Sequence, residues 1–570
     1  MNRRSFLSLT ALAPFKPFLQ SNDQKTAQRE LQADVVIIGG GVGGIAAALA
    51  AARNGLRVIL TEEYDWIGGQ LTSQAVPPDE HPWIDEMGSS RTYRLFRQKV
   101  RDYYRRNYPL TEAAKNKQKL NPGNGNVSQL CHEPRVALAV LLEMLAPHIT
   151  TRRVQLLTRS YPVKVESTGD TISAVIVADV QQQRTTLLAP YFIDATETGE
   201  LLSLGQVEYV VGSESRRDTK EPHAPLNADP TNHQAFTVCF TMDFQDGVDN
   251  RIEEPEGYQQ WRNYTPQLEP AWPGRLLSWE MSDPKTLKTR SVGFNPTGPL
   301  AKGLNLWTYR RIVDRNNFPR RFFSGDTVES DVCLVNWPQN DYWLGNLIDV
   351  TREEWLTHMH RARQLSLSLF YWMQTEAPRP DGGHGWRGLR LRGDIVGTED
   401  GLAMAPYIRE SRRIKAIFTV TENHVGVDAR AKLLGKKPGE FTAEKFPDAV
   451  GTGSYRIDLH PSSGGNNYID VSSLPFQIPL GALIPQRIEN LLPGCKNIGT
   501  THITNGCYRL HPVEWSVGEA VGELVAFCRY RRRVPRQVRK DTRLLSNFQD
   551  QLARAGMDLD WPEEIARTVR

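Results

Sequence analysis

Three glycines and one carboxylate carry the plainest chemistry in this sequence. Gly39, Gly41 and Gly44 spell G-x-G-x-x-G, and Glu62 stands 23 residues beyond Gly39. Where a strand turns into a helix, the first such glycine permits the tight turn. The second lets the backbone approach a pyrophosphate, and the third lets helix pack closely on strand. Unpaired N–H groups at the helix start then hold phosphate charge. A carboxylate closing the next strand accepts hydrogen bonds from ribose hydroxyls and repels a 2′-phosphate, which disfavours NADP. The chemistry these residues prescribe is dinucleotide binding. A second set, His502, Asn505, Tyr508, Arg509 and His511, lies near the C-terminus. Histidine titrates near neutral pH and arginine can clamp a carboxylate, so His502, Arg509 and His511 are the candidates for catalysis. Asp394 to Gly401 and Pro406 to Arg413 form a further polar cluster, in which Arg409, Glu410 and Arg412 read either as a substrate clamp or as an ion-pair network bracing a domain junction. His384, beside Trp386, is a loop candidate.

The glycines act only if a strand precedes them and a helix follows. Val35 to Ile38 is an apolar run that reads as a buried parallel strand, and the alanine-rich Ile45 to Arg53 is a strong helix former that Asn54-Gly55 stops. Leu56 to Thr61 is a second strand, ending at Glu62. Residues 77–130 form an irregular insertion with a helix from Ser89 to Tyr104, and Glu133 to Leu145 has helical periodicity. Val154 to Val165, Thr171 to Val180 and Thr185 to Phe192 are expected to be three consecutive strands, a β-meander ending at Tyr191 to Glu200. Residues 210–360 are rich in Pro and Trp with weak periodicity, as in a separate substrate-side domain. Leu491 to His502 reads as a turn and short strand. A helix follows from Val513 to Phe527, with Pro512 at its first position and Ser516, Gly518, Ala520 and Gly522 permitting close packing. The start of that helix is a second place to stabilise negative charge.

At about 100–200 residues per domain, 570 residues suggest about two to four folding units. The 39% hydrophobic and 24% charged content describes an ordinary globular chain, with a mean hydropathy of −0.46. No apolar run approaches the roughly 18–20 residues of a membrane span. A net charge of +4, from 69 basic and 65 acidic residues, is too even for a nucleic-acid footprint. Cys131, Cys239, Cys333, Cys495, Cys507 and Cys528 show neither C-x-x-C nor metal-ligand spacing, so no metal is expected. Asn2 to Ser8, Asn-Arg-Arg-Ser-Phe-Leu-Ser, resembles the bacterial twin-arginine export signal, which implies a periplasmic or exported protein. The alternative is a cytoplasmic protein, because Pro14 and Lys16 interrupt a short apolar stretch.

The glycine turn, the segment Asp194-Ala195-Thr196-Glu197-Thr198-Gly199-Glu200-Leu201-Leu202 and the segment Arg509-Leu510-His511-Pro512-Val513-Glu514-Trp515 resemble, in this order, a bacterial FAD-dependent oxidoreductase family within the glutathione-reductase-like FAD-binding superfamily. The resemblance covers residues 33–205 and 390–530. It implies an α/β fold: a Rossmann-like FAD-binding domain assembled from N- and C-terminal segments, with an inserted α+β substrate or cap domain. The expected division is signal and linker 1–32, FAD-binding 33–205, cap 206–390, the second FAD-binding part 391–530 and a C-terminal extension 531–570. It implies pyrophosphate contacts at Gly39, Gly41, Gly43 and Gly44, and a ribose contact at Glu62. Gly68, Gly69 and Gln70 belong to the loop that runs beside the flavin. Val163 corresponds to a backbone contact with adenine, and Asp194 and Thr196 to a second nucleotide contact. Gly499 and Glu514 are further cofactor-binding residues, one ahead of the last helix and one in its first turn, where the helix's positive end faces the flavin. Glu197 stands where many members have glycine.

A second strand–G-x-G-x-x-G–helix unit, expected if NADH bound separately, is missing: Gly383, Gly385 and Gly388 fit the letters, but Pro378-Arg379-Pro380 precedes them. The expected activity is therefore a dehydrogenase or oxidase taking hydride from a small organic substrate, with electrons leaving to oxygen, quinone or a redox protein. A flavin reductase of an unsaturated substrate, or an electron-transfer flavoprotein without turnover of its own, is the alternative. FAD is expected to be dissociable rather than attached through Cys507 or His81. The sequence is silent on oligomeric state.

Overall fold

Strand periodicity places the residues of the N-terminal sheet. The computed structural model describes residues 29–298, 303–319 and 330–570; the twin-arginine segment lies outside them. A parallel sheet is built from β2 (Val35–Ile38), β3 (Val58–Thr61), β4 (Val154–Leu157) and β8 (Phe192–Asp194), joined by β13 (Leu491–Pro493) from the far end of the chain. Its order is β13-β8-β2-β3-β4, and every pairing is parallel. Successive side chains of a strand point to opposite faces. Val35, Ile37, Val58 and Leu60 accordingly enter the helical core, whereas Val36, Ile38 and Ile59 pack against a second sheet. That second sheet contains β1 (Arg29–Gln32), β5 (Ser160–Thr168), β6 (Thr171–Asp179) and β7 (Arg184–Leu188), in the order β1-β7-β6-β5.

On the helical face, α1 (Val42–Arg53) lies against α6 (His511–Arg531). Their seam is made of small residues: a Cβ on Gly518 would come within 1.9 Å of the Gly43 carbonyl oxygen, and one on Gly522 within 2.5 Å of the Ala47 oxygen. Arg53 at the end of α1 pairs with Glu519 at 3.0 Å and Glu523 at 2.6 Å on α6. Two further helices, α2 (Arg91–Asn107) and α3 (Pro134–Thr150), complete this layer, and Ser90 caps α2 by accepting from the Tyr93 N–H. The expected helix 89–104 thus runs three residues further, and the helix expected from Val513 begins at His511.

The expected strand Val154 to Val165 is two strands in two sheets. Arg159 takes a left-handed φ of 55° between them, a turn that neither glycine nor proline announces. Residues of the insertion form an antiparallel sheet from β9 (Phe240–Phe244), β10 (Arg311–Val313), β11 (Val332–Val335) and β12 (Leu389–Leu391), ordered β10-β11-β9-β12. The 24-residue α4 (Arg352–Thr375) packs with it around a separate core rich in tryptophan, including Trp261, Trp272, Trp307, Trp337 and Trp372. The short α5 (His502–Tyr508), capped by Thr501, leads through Arg509 and Leu510 into α6. Among the described residues no helix is long and apolar enough to cross a membrane.

Candidate functional site

A cavity of about 560 Å³ opens at the carboxyl ends of β2, β3 and β8, lined by Gly39, Gly41, Glu62, Gly69, Val163, Ala195, Thr196 and Glu197 among others. This lies within the ~300–1,000 Å³ of ligand pockets. The first N–H groups of α1 open here: Gly41 is its N-cap and no side chain caps it. Such groups are an anion site.

The glycines serve different ends. Gly39 has φ 99°, and a Cβ there would lie 2.2 Å from the Ala195 carbonyl oxygen. Gly41 has an ordinary φ of −66°, and a Cβ would meet nothing closer than Glu197 Oε1 at 3.0 Å, so its Cα faces the cavity. A Cβ on Gly44 would lie 1.9 Å from the Gly39 oxygen and one on Gly43 1.7 Å from the Gly494 oxygen, both packing requirements. Glu62 closes β3 with its carboxylate at the turn: Gly40 N–H donates to Oε2 at 3.0 Å and Tyr64 N–H to Oε1 at 3.0 Å. Burial pushes its carboxyl up to about 8.

The loop after β3 folds back on this turn. Gly68 N–H donates to the Gly40 oxygen at 2.7 Å, Gly68 and Gly69 have φ of 109° and 48°, and Gln70 Nε2 donates to the Arg509 oxygen at 3.0 Å. Gln70 Oε1 is buried without a partner. Asp194 accepts from Thr196 Oγ1 at 2.7 Å and from Leu201 N–H at 3.1 Å, so it shapes the loop whose Ala195 and Thr196 line the cavity. Burial raises its carboxyl to about 6.

Glu197 lies against the glycine turn. Its Oε1 would lie 3.0 Å from a Cβ on Gly41 and 2.8 Å from one on Gly69, and its other oxygen pairs with the buried Lys496 ammonium. Lys496 also reaches Glu514 Oε1 at 3.2 Å, near the start of α6. Glu514 Oε2 has no partner, and burial raises this carboxyl to about 7. Glu197 lines the cavity, whereas the Lys496 ammonium paired with it is fully buried. The glycine cradle and the uncapped helix start together fit a dinucleotide pyrophosphate.

Beyond the cavity lies a chamber of buried charge. Ala405, Pro406 and Ile408 line the cavity, while the intervening Tyr407 accepts at its hydroxyl from Arg509 Nη1 at 3.3 Å. Arg409 lies over the Tyr407 ring at 5.0 Å and pairs with Asp341 at 3.1 Å. His460 links Asp341 to Asp458, whose carboxylate is 3.6 Å from Arg509. Arg310, from the end of the cap segment before β10, stands 3.9 Å from the Asp79 carboxylate. Burial raises the Asp79 carboxyl against the opposing charges of Arg310 and Arg509. Asp458 is held below its ordinary value: burial opposes this, but His460, Arg509 and Arg409 outweigh it.

The three catalytic candidates separate. His511 lies at the chamber: its Nδ1 accepts from the Asp79 N–H at 3.2 Å, and its Nε2 is buried without a partner. Burial lowers it to about 3, so it is a neutral ring rather than a group titrating near pH 7. Arg509 lies there too. His502 instead belongs to a brace, with Nδ1 2.7 Å from Glu410, which also takes Arg413 at 2.8 Å; Arg413 reaches Glu214 at 2.9 Å. Gly499 packs on Ala416 and Phe418, a Cβ there lying 2.5 Å from the Ala416 Cβ. Cys507 and His81 are buried and bond to the Thr504 and Gly88 carbonyls. Asp79, Arg310, Asp458 and His460 were not among the sequence candidates, because they come from three separate segments and no spacing rule joins them.

The sequence from residue 34 to residue 552 matches a family model described as FAD dependent oxidoreductase. No curated protein matches it. Similar solved structures include an L-proline dehydrogenase from P. horikoshii, with 17% identity, 32% of this chain and 24% of that one covered, and a TM-score of 0.17. CabE, an aromatic hydroxylase from angucycline biosynthesis, shows 14% identity over 39% of each chain and a TM-score of 0.24. A glycerol-3-phosphate dehydrogenase from Bacillus halodurans complexed with FAD shows 13% identity, 37% and 40% coverage and a TM-score of 0.21. The chain spans less than half the length of each of these proteins.

Proposed function

The chain belongs to the FAD-dependent oxidoreductase family, and on that premise we propose that it is a dehydrogenase or oxidase of a small organic substrate, bound in the chamber between the cap and the FAD-binding part. The observation that carries this reading is the placing of Asp79, Tyr407, Arg509 and His511 directly behind the segment that lines the dinucleotide cavity. Gly39, Gly41, Glu62, Gly69, Val163 and Thr196 would hold FAD, with the start of α1 toward its phosphates. When bound, FAD supplies a two-electron acceptor for hydride.

The remaining work falls to the chain. Asp79 is the group placed to take the substrate proton: its carboxylate has no hydrogen bond among the described residues, and burial raises its proton affinity against the opposing charges of Arg310 and Arg509. His511, neutral and accepting at Nδ1, presents Nε2–H as a fixed donor. Arg509 holds the Tyr407 hydroxyl, and the buried surroundings exclude water. The electron acceptor would be oxygen, a quinone or a redox protein. The twin-arginine segment Asn2 to Ser8, with the linker that follows it, is read as an export signal to the periplasm, by which the folded, loaded protein would travel.

Anaerobic mixing of the FAD-loaded protein with amines, amino acids, hydroxy acids, alcohols and sugars tests the activity. At least one substrate should bleach the oxidised flavin band, and Asp79→Asn should slow that bleaching by about 100-fold or more. If none bleaches it while a reduced carrier does, the dehydrogenase reading fails. Arg3→Lys with Arg4→Lys should abolish periplasmic location; unchanged location removes the export reading.

A further inference from the structure

Resting on the reading above, we propose that the substrate carries a carboxylate and that Arg310 and Arg509 clamp it across the junction of cap and FAD-binding part. The chamber has surplus donors. Among the described residues, Arg310 Nε, Arg509 Nε and His511 Nε2 are buried polar atoms with no hydrogen-bond partner. Each guanidinium is otherwise anchored: Arg310 Nη1 donates to the Asn336 oxygen at 2.7 Å, and Arg509 Nη2 to the Asp458 oxygen at 3.0 Å. Both cations act on one carboxyl, Asp79, but neither approaches it closely; Arg310 stops at 3.9 Å.

A buried guanidinium N–H left without an acceptor is costly, and a planar pair of oxygens is the acceptor its fork matches. Both guanidiniums are largely enclosed: Arg509 is 3% exposed and the Arg310 side chain 13%. The charge balance selects a monoanion. Arg310, Arg409 and Arg509 already face Asp79, Asp341 and Asp458, so a phosphate dianion would bring twice the uncompensated charge of a single carboxylate. Arg409 also leaves Nε unpartnered, but it is not part of the clamp, because it is already closely paired with Asp341 at 3.1 Å and its terminal nitrogens are held by Ala235, Thr237 and Asn336 as well.

The test titrates the FAD-loaded protein with benzoate, benzamide and phenyl phosphate, and with acetate against acetamide, following the visible flavin spectrum. Benzoate and acetate should give saturable changes with Kd at least 10-fold below those of the amides and of phenyl phosphate. Arg310→Met should weaken benzoate at least 10-fold with FAD content and melting temperature unchanged, and Arg310→Lys should recover part of it. Amides binding as tightly as the acids, absence of a saturable change with either acid, or benzoate affinity untouched in Arg310→Met would each overturn the clamp. The wild-type comparison stands even if a variant fails to fold. Bleaching of the flavin by an alcohol or sugar, with benzoate silent, would sink the carboxylate inference while leaving the oxidoreductase reading intact.

Discussion

Two glycines of one turn make opposite demands on a methyl group, and this separates folding from binding. Gly39→Ala places a side chain at φ 99° and 2.2 Å from the Ala195 oxygen, so it should destabilise the protein by about 1–3 kcal/mol whether or not FAD is bound. Gly41→Ala keeps an ordinary φ and a contact no closer than 3.0 Å, so thermal melting of the FAD-free protein should be unchanged. FAD affinity, read by fluorescence titration, should fall by more than 10-fold, because the methyl points into the cavity. Equal melting losses in both variants would refute this division. Much of the glycine turn was legible because its residues are neighbours in the chain and its spacing follows from the strand–turn–helix path. Gly43 was legible only as a glycine; that it answers to Gly494 and α6 depends on residues over 450 positions away. The chamber was less legible still: Asp79, Arg310, Tyr407, Asp458 and Arg509 come from five segments that only the tertiary fold brings together.

The α1–α6 seam acts as one unit. Gly518 and Gly522 let the two helix backbones touch, and Arg53 fixes their register through Glu519 and Glu523. Gly518→Val would drive a branched side chain into the Gly43 carbonyl, already 1.9 Å from a bare Cβ. The expected result is a loss of at least about 1–3 kcal/mol. Because the same displacement shifts the starts of both helices, FAD retention should fall with it; wild-type melting and flavin content in this variant would show the seam to be loose. The small-residue pattern announced close packing but not its partner. Strand boundaries show the converse failure. Val154 to Val165 reads as one strand because its turn rests on the left-handed backbone of Arg159, a residue type that gives no local signal. In the cap, strands of three to five residues are too short for period-two alternation to rise above the loops between them.

Buried ionisable groups set how the whole molecule responds to pH. Burial raises Glu62 and Glu200 to about 8, and Glu221 and Glu514 to about 7, so the folded FAD-free protein holds protons there that the unfolded chain releases near 4.5. Stability should therefore decline as pH rises from 6.5 to 8.5. Burial lowers His81 and His132 to about 4 and His511 to about 3, so the unfolded chain binds protons first, and stability should also decline as pH falls below 4.5. Between these limits the two sets oppose one another. Melting temperatures across pH 3.5–8.5 check this, and Glu62→Gln should flatten the alkaline limb; a rising alkaline limb would contradict it. The sheet itself has a consequence in time. Its strand β13, and the helix α6 that closes over α1, are supplied only after the whole cap has been synthesised. A ribosome-bound chain truncated before residue 491 has the glycine turn but an open sheet edge at β8 and a bare apolar face on α1. Such nascent chains should neither retain FAD nor resist protease, and should acquire both properties together once residues through α6 have emerged.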